Sequence, residues 1–150
     1  PGTGKTHLAI ALSLKACQRS YRVAFTTAQE WVSRLEQAQD QNQLKQELRR
    51  LERYQLLVVD EVGYLPLERS AANLLFALVS RRYERGSIIV TSNRGFEQWG
   101  EILGDAMVAA ALIDRLVHHA TMITLKGKSY RLRERETGVV PASASLGASG

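Results

Sequence analysis

The chain is poor in cysteine, proline and long apolar runs, and each scarcity removes a class of protein. Its single cysteine, Cys17, cannot close an internal disulfide, which fits a reducing, cytoplasmic compartment rather than a disulfide-stapled secreted fold. Cys17 lies between Leu12 and Ala16 on one side and Gln18 and Arg19 on the other, and is expected as a small buried thiol. No apolar stretch approaches the ~18 residues that cross a bilayer, so no membrane association is expected. No signal-peptide pattern opens the sequence, and its first residue is Pro1 rather than Met. His7, His118 and His119 have no Cys or His partner at metal-ligand spacing, and no Ser/His/Asp or Cys/His arrangement is legible. Zinc chemistry and covalent catalysis by a side chain are therefore set aside, and His7 is expected to pack or cap.

What is present is 150 residues with 45% hydrophobic content, enough for one domain with a sizeable core. The net charge of +5 leans toward nucleic acid or another polyanion. The stretch around which the rest is organised opens the chain: Pro1-Gly2-Thr3-Gly4-Lys5-Thr6. It matches the end of a phosphate-binding loop, G-x-x-x-x-G-K-[ST], without the opening Gly and the residue after it. Gly2 and Gly4 let successive backbone N–H groups turn into one concavity around Thr3, and the following helix aims its free N–H groups and positive dipole end at the same place. Lys5 can reach the outer phosphates, and the Thr6 hydroxyl can coordinate Mg²⁺. The same stretch also reads as a simple Gly turn before a helix, so support has to come from further along.

The hydrophobic pattern alternates helix and strand. Lys5 to Ser20 is helical, with Leu8, Leu12 and Ala16 as the inward stripe. Val23 to Thr26 reads as a buried parallel strand. Thr27-Ala28-Gln29-Glu30 is a capping box, so a helix starts at Ala28, with Trp31, Val32 and Leu35 inward. A thinner amphipathic helix follows from Gln37 to Arg53 on Leu44, Leu48 and Leu51. Leu56-Leu57-Val58-Val59 is a strand apolar on both faces that ends in Asp60-Glu61, broken by Gly63 and Pro66. Ser70 to Tyr83 is a helix whose end is crowded by Arg81, Arg82 and Arg85, expected as a solvated face that complements the helix dipole before a DNA patch. Ser87 to Ser92 is a third strand, Phe96 to Trp99 one helical turn, Ala106 to His119 an alanine-rich helix, Met122 to Leu125 a fourth strand, and Tyr130-Arg131-Leu132 a short edge strand. From Gly138 onward Ala, Ser, Gly and Val cannot bury enough surface to order themselves. The expected organisation is a core over 1–135 and a disordered tail over 136–150. This is an α/β chain, and right-handed crossovers place helices on both faces of the sheet.

The acidic pair raises the opening motif above chance. Asp60 emerges at the carboxyl end of a buried strand, the edge where open α/β sheets bind ligands. There Asp60 can hold Mg²⁺ and Glu61 can orient and deprotonate an attacking water. Thr91-Ser92-Asn93 adds polar groups at the same edge, with Asn93 read as a contact to the γ-phosphate or the water, or as a turn residue before Gly95. Arg115 is read as an arginine finger reaching a neighbouring subunit's nucleotide, or as a surface arginine paired with Asp114. The cationic run Lys126, Lys128, Arg131, Arg133 and Arg135 either touches phosphate backbones or is a solvated end of the domain.

Pro1 to His7, Asp60-Glu61-Val62-Gly63-Tyr64, Arg82 to Ser87, Thr91-Ser92-Asn93-Arg94, Phe96-Glu97-Gln98-Trp99-Gly100, Asp114-Arg115-Leu116 with His118-His119, and Ser129-Tyr130-Arg131-Leu132 together resemble the IstB-like ATPases. These are AAA+ transposition helpers of insertion sequences, related to DnaC-type helicase loaders, and the likeness covers about residues 1 to 135. The resemblance implies a three-layer parallel sheet of P-loop NTPase type in the order 5-1-4-3-2. Here its first strand would lie upstream of Pro1, and too little chain follows Leu125 for a helical lid or a second sensor arginine. It implies ATP and Mg²⁺ as cofactors, homo-oligomers on double-stranded DNA, and a partner transposase from the same insertion sequence. By motif match, Gly2, Thr3, Gly4, Lys5 and Thr6 would hold the nucleotide, Thr6 and Asp60 the metal, Glu61 and Asn93 would be catalytic, and Arg115 would act in trans. The polar helix around Gln39 to Arg53 would fall where initiator-type AAA+ proteins carry a DNA-facing helix. Two alternatives stay open: a DnaC-like loader of a replicative helicase, and an inactive piece that only binds DNA or protein. The 150 residues alone are expected to hydrolyse ATP poorly.

Overall fold

A computed structural model of the chain describes residues 4–118, 120–125 and 137–141, the last of these by backbone only. Three parallel strands, β1 (Val23–Thr27), β2 (Leu56–Val62) and β3 (Ser87–Ser92), form a sheet in the order β1-β2-β3. That is the 2-3-4 run of the order implied by the resemblance. Helix α1 (Lys5–Gln18) covers one face. Helices α2 (Ala28–Asp40), α3 (Leu44–Leu51), α4 (Arg69–Arg82), α5 (Trp99–Ile102) and α6 (Ala106–Val117) build the core on the other. The α/β expectation therefore holds, and its cause is visible in β2. Leu56 and Val58 pack toward Ala9 of α1, while Leu57 and Val59 pack into the larger cluster with Trp31, Leu35, Leu75 and Leu78. A strand with both faces covered has to be aliphatic throughout.

Several local signals act as read. The Thr27 hydroxyl accepts the Glu30 N–H at 3.1 Å and starts α2 at Ala28. Trp31 at the bottom of that helix donates its indole N–H to the Val58 carbonyl at 2.8 Å, fixing α2 against the central strand. The helix expected from Gln37 to Arg53 is divided: α2 continues to Asp40, and α3 begins at Leu44 after Asn42 at φ +59. Asparagine tolerates this left-handed geometry, so the chain reverses there without glycine.

Other expectations are corrected. On α1 the buried stripe is Ala9 and Ser13, not Leu8 and Leu12. Ile10, Leu12 and Leu14 are 40%, 43% and 58% exposed, because small residues let the helix approach the sheet while the large ones face outward. Cys17 lies on the outer side and is exposed, not a buried thiol. The fourth strand, β4 (Thr121–Leu125), does not bond to β3; it pairs antiparallel with β5 (Thr137–Pro141). The order 5-1-4-3-2 would put another strand between β3 and β4. Residues 137–141 thus form a strand where an unordered tail was expected from 136 onward, since Thr137, Val139 and Val140 are strong strand formers beside an open edge. The expected edge strand at Tyr130–Leu132, the whole cationic run around it and the tail from 142 lie outside the described residues.

The largest correction concerns Arg82. It is 3% exposed, not part of a solvated basic face. Its guanidinium donates to the carbonyls of Tyr54 (2.7 Å), Gln55 (3.0 Å), Ser87 (2.7 Å) and, more weakly, Leu51 (3.4 Å). These carbonyls flank the amino ends of β2 and β3. Burial lowers the guanidinium pKa from its ordinary value, and the carbonyl dipoles hold the charge in place. Arg82→Ala is expected to destabilise the domain by about 3 kcal/mol and Arg82→Lys by somewhat less, because an ammonium cannot fork to carbonyls on two sides. Urea midpoints of the two variants check this.

Asp105 starts α6 by accepting the N–H groups of Met107 (2.8 Å) and Val108 (3.1 Å), and it also accepts from Arg69 at 3.0 Å. The Val108 N–H above all, then Arg69, holds its pKa below the ordinary aspartate value of 3.8. A depressed folded-state value means that this stabilisation is complete above pH 3.8 and is lost as pH falls through the lower value. Asp105→Asn keeps an acceptor without the charge, so its stability is expected to fall less steeply on the acid side in pH-dependent urea titrations.

Candidate nucleotide site

The site is built where α1 meets the carboxyl ends of the strands. Gly4 caps α1 at φ +81, a geometry that a side chain resists, and its carbonyl accepts the Leu8 N–H at 2.9 Å to begin the helix. Gly2 and Thr3 lie outside the described residues. Thr6, one residue into the helix from Lys5, donates its hydroxyl to the Asp60 carboxylate, 3.1 Å from one oxygen and 3.0 Å from the other. The opening motif and the acidic strand end therefore meet in one place. Asp60 is 3% exposed, and a buried carboxylate needs partners of this kind.

The strand end is not regular. Val59 faces Val90 and Val62 faces Ser92, so Asp60 and Glu61 together oppose the single residue Thr91. This is a β-bulge, with Glu61 at φ +62. In an unbroken strand consecutive side chains point to opposite faces; the extra residue breaks that alternation and re-aims Glu61. One hydroxyl secures both bulged residues. Thr91 Oγ1 accepts the Glu61 N–H at 2.8 Å and donates to Asp60 through a short hydrogen bond. Gly63, at φ +90, closes the turn; a Cβ there would stand 2.9 Å from Arg94 Cγ and 3.0 Å from Ile102 Cδ1. Ser92 adds a further tie, its hydroxyl lying 2.6 Å from the Val62 carbonyl.

Asn93 lies exposed just past β3 at the same edge. Arg115 does not join it. It sits in the last turn of α6 with its guanidinium carbon 5.1 Å from the Phe76 ring centroid and 5.6 Å from that of Tyr83, so it stacks on α4 rather than pairing with Asp114. The structure thus brings together Thr6, Asp60 and Glu61, keeps Asn93 at their edge, and holds Arg115 elsewhere. Sequence reasoning noted Thr91 only as part of a polar strand end; its signal was a hydroxyl following Ile88-Ile89-Val90 beside an acidic pair.

A hard cation fits this donor set. Thr6 and Asp60 offer only oxygens, already close enough to share a ligand, with Glu61 beside them to bind or orient water.

The match to the model of the IstB-like ATP binding protein family runs over residues 1–138. The chain belongs to this family. A Pseudomonas aeruginosa protein named for ATP binding in insertion sequence IS21 is 49% identical over 141 residues, covering 93% of this chain and 53% of its own length. The Geobacillus stearothermophilus counterpart from IS5376 is 47% identical over 135 residues, covering 90% and 54%. The chain therefore spans about half the length of these relatives. Among solved structures, AMPPCP-bound DnaA from Aquifex aeolicus aligns with a TM-score of 0.65 at 22% identity, over 75% of this chain and 35% of that one. The DnaC helicase loader aligns with a TM-score of 0.61 at 24% identity, over 77% and 70%. These likenesses show that the fold is shared with DnaA and the DnaC helicase loader.

Thr91→Val keeps the shape of the side chain but leaves the Asp60 carboxylate and the Glu61 N–H each one partner short. It is expected to destabilise the fold by about 1–3 kcal/mol, with Thr91→Ser restoring most of the loss. Chemical denaturation of both variants measures it; equal stability of Thr91→Val and wild type would contradict the bridging role.

Proposed function

We propose that this chain is the motor core of an insertion-sequence helper that binds MgATP, hydrolyses it, assembles as a homo-oligomer on double-stranded DNA and regulates the transposase of the same element. The observation that carries the reading is the contact of Thr6 with Asp60, which unites the Gly4-Lys5-Thr6 turn with the acidic strand end in one oxygen-rich cleft. The names of the relatives, all linked to insertion sequences and ATP binding, favour a transposition helper over a replicative helicase loader. The net charge of +5 suits a partner with a phosphate backbone.

In this reading the backbone of Gly2, Thr3 and Gly4 cradles the phosphates at the start of α1, where the helix dipole favours negative charge. Lys5 neutralises the outer phosphates. Thr6 and Asp60 hold Mg²⁺, which when bound offsets charge on the phosphate oxygens. Glu61, kept exposed by the bulge, takes a proton from the attacking water as its oxygen bonds to the γ-phosphorus and the bond to the bridging oxygen breaks, releasing ADP and phosphate. Asn93 hydrogen-bonds the γ-phosphate or that water. Arg115, which stacks on its own α4 away from the Thr6–Asp60 contact, serves the nucleotide of an adjacent subunit. Because Asp60 already has two hydroxyl partners and Glu61 is the exposed member of the pair, the structure supports a division of labour in which the first binds and the second reacts.

In the full-length protein, Lys5→Ala is expected to abolish ATP binding. Glu61→Gln is expected to retain binding, lower kcat about 100-fold or more, and accumulate as a nucleotide-bound oligomer on DNA. Nucleotide titration, phosphate release and DNA co-sedimentation check the three outcomes. Normal turnover by Glu61→Gln would remove Glu61 from the chemistry and with it the proposed mechanism.

A further inference from the structure

We infer that Phe76 and Tyr83 form an aromatic cradle on α4 that positions Arg115 for the nucleotide site of a neighbouring subunit. The inference rests on the trans role proposed above and adds the residues that prepare it. Phe76 and Tyr83 lie two turns apart along α4 and its end, so they share a face, and that face meets α6. The Arg115 guanidinium carbon lies 5.1 Å from one ring centroid and 5.6 Å from the other. The Tyr83 ring is itself braced: the His118 ring stands 5.5 Å away at a tilt of 56°, just beyond the end of α6. The helices on both sides of the arginine therefore contribute to its seat.

The physical reason for such a seat is entropy. A free surface arginine samples many rotamers, and a finger drawn from that ensemble must be ordered each time a neighbour presents a nucleotide. Two ring faces restrict the planar guanidinium without neutralising it, since a ring attracts the cation but carries no countercharge. A carboxylate partner, such as the adjacent Asp114, would hold it equally well but compete with phosphate oxygens. The cradle keeps the charge available and the geometry limited. Phe76 lies on α4 and Tyr83 just past its end, outside the Thr6–Asp60–Thr91 cluster, so the seat of Arg115 is separate from the chain's own site.

The test is directional mixing in the full-length protein. Arg115→Ala subunits supply an intact site without a finger; Glu61→Gln subunits supply a finger without chemistry. Mixing the two restores ATP turnover if the finger acts in trans. A Glu61→Gln donor that also carries Tyr83→Leu or Phe76→Leu is then expected to restore about tenfold less, while Tyr83→Phe in the donor restores normally. The same Tyr83→Leu change placed in the Arg115→Ala acceptor is expected to leave restoration unchanged, because the ring serves only the chain that donates. Equal restoration by donors with and without the rings overturns the cradle and leaves the finger standing. A deficit in both donor and acceptor overturns it as well, since a ring that merely supports the fold acts in either role. Failure of the control pair removes the trans finger itself, and the cradle falls with it.

Discussion

One hydroxyl, that of Thr91, stands opposite two consecutive residues of the neighbouring strand, and the arrangement of the site depends on it. A carboxylate buried at the end of an aliphatic strand is costly unless hydrogen-bond donors meet it. Asp60 is met from two directions, by Thr6 from the start of α1 and by Thr91 from β3. Glu61 sits in a backbone conformation that costs of order 1–3 kcal/mol for a residue with a side chain, and its N–H ends on the same Thr91 oxygen. Strand, sheet neighbour and helix α1 are thus joined through one polar junction. The strain at Glu61 and the burial of Asp60 are two sides of one local solution: a bulge that makes adjacent carboxylates differ, one held inside and the other directed outward.

The opposite end of the sheet is closed by a different device. There Arg82 gathers backbone carbonyls from the loop before β2 and from the first residue of β3. Its charge serves the fold. Arg81 and Arg85, its neighbours in the sequence, remain at the surface near Glu52, at 3.5 and 4.0 Å. At such distances and exposures these pairs add little stability. The two ends of β2 therefore divide the work: carbonyls clamped by a cation at the amino end, and oxygens prepared for a cation at the carboxyl end. The first is structural, its guanidinium taken up by backbone carbonyls. The second gathers the oxygens of Thr6, Asp60 and Thr91.

Helix α1 links these ideas to the rest of the sheet. It approaches through Ala9 and Ser13, whose small side chains permit close contact, and so its N-terminus comes within hydrogen-bond reach of Asp60. A larger inward stripe would lift the helix away from β2 and separate Thr6 from its partner. The outward Ile10, Leu12 and Leu14 are what this closeness leaves exposed on the far side.

The order of helices and strands, the aliphatic β2 and the Thr27 cap could be read from residues alone, because each follows from local periodicity or a nearby donor and acceptor. So could the meeting of Thr6 with Asp60, because each belongs to a motif legible in adjacent positions. What sequence did not disclose was which side of α1 faces the sheet, that Cys17 is exposed, that Arg82 is buried, and that β4 pairs with β5. Each of these is set by partners distant in the chain: four carbonyls for Arg82, the open edge of β4 for residues 137–141, and the depth of the sheet for Ala9. The bulge belongs to the same group. Residues 60 and 61 are written side by side in the sequence, but the bulge that separates them is held by Thr91 on another strand, whose hydroxyl accepts the Glu61 N–H.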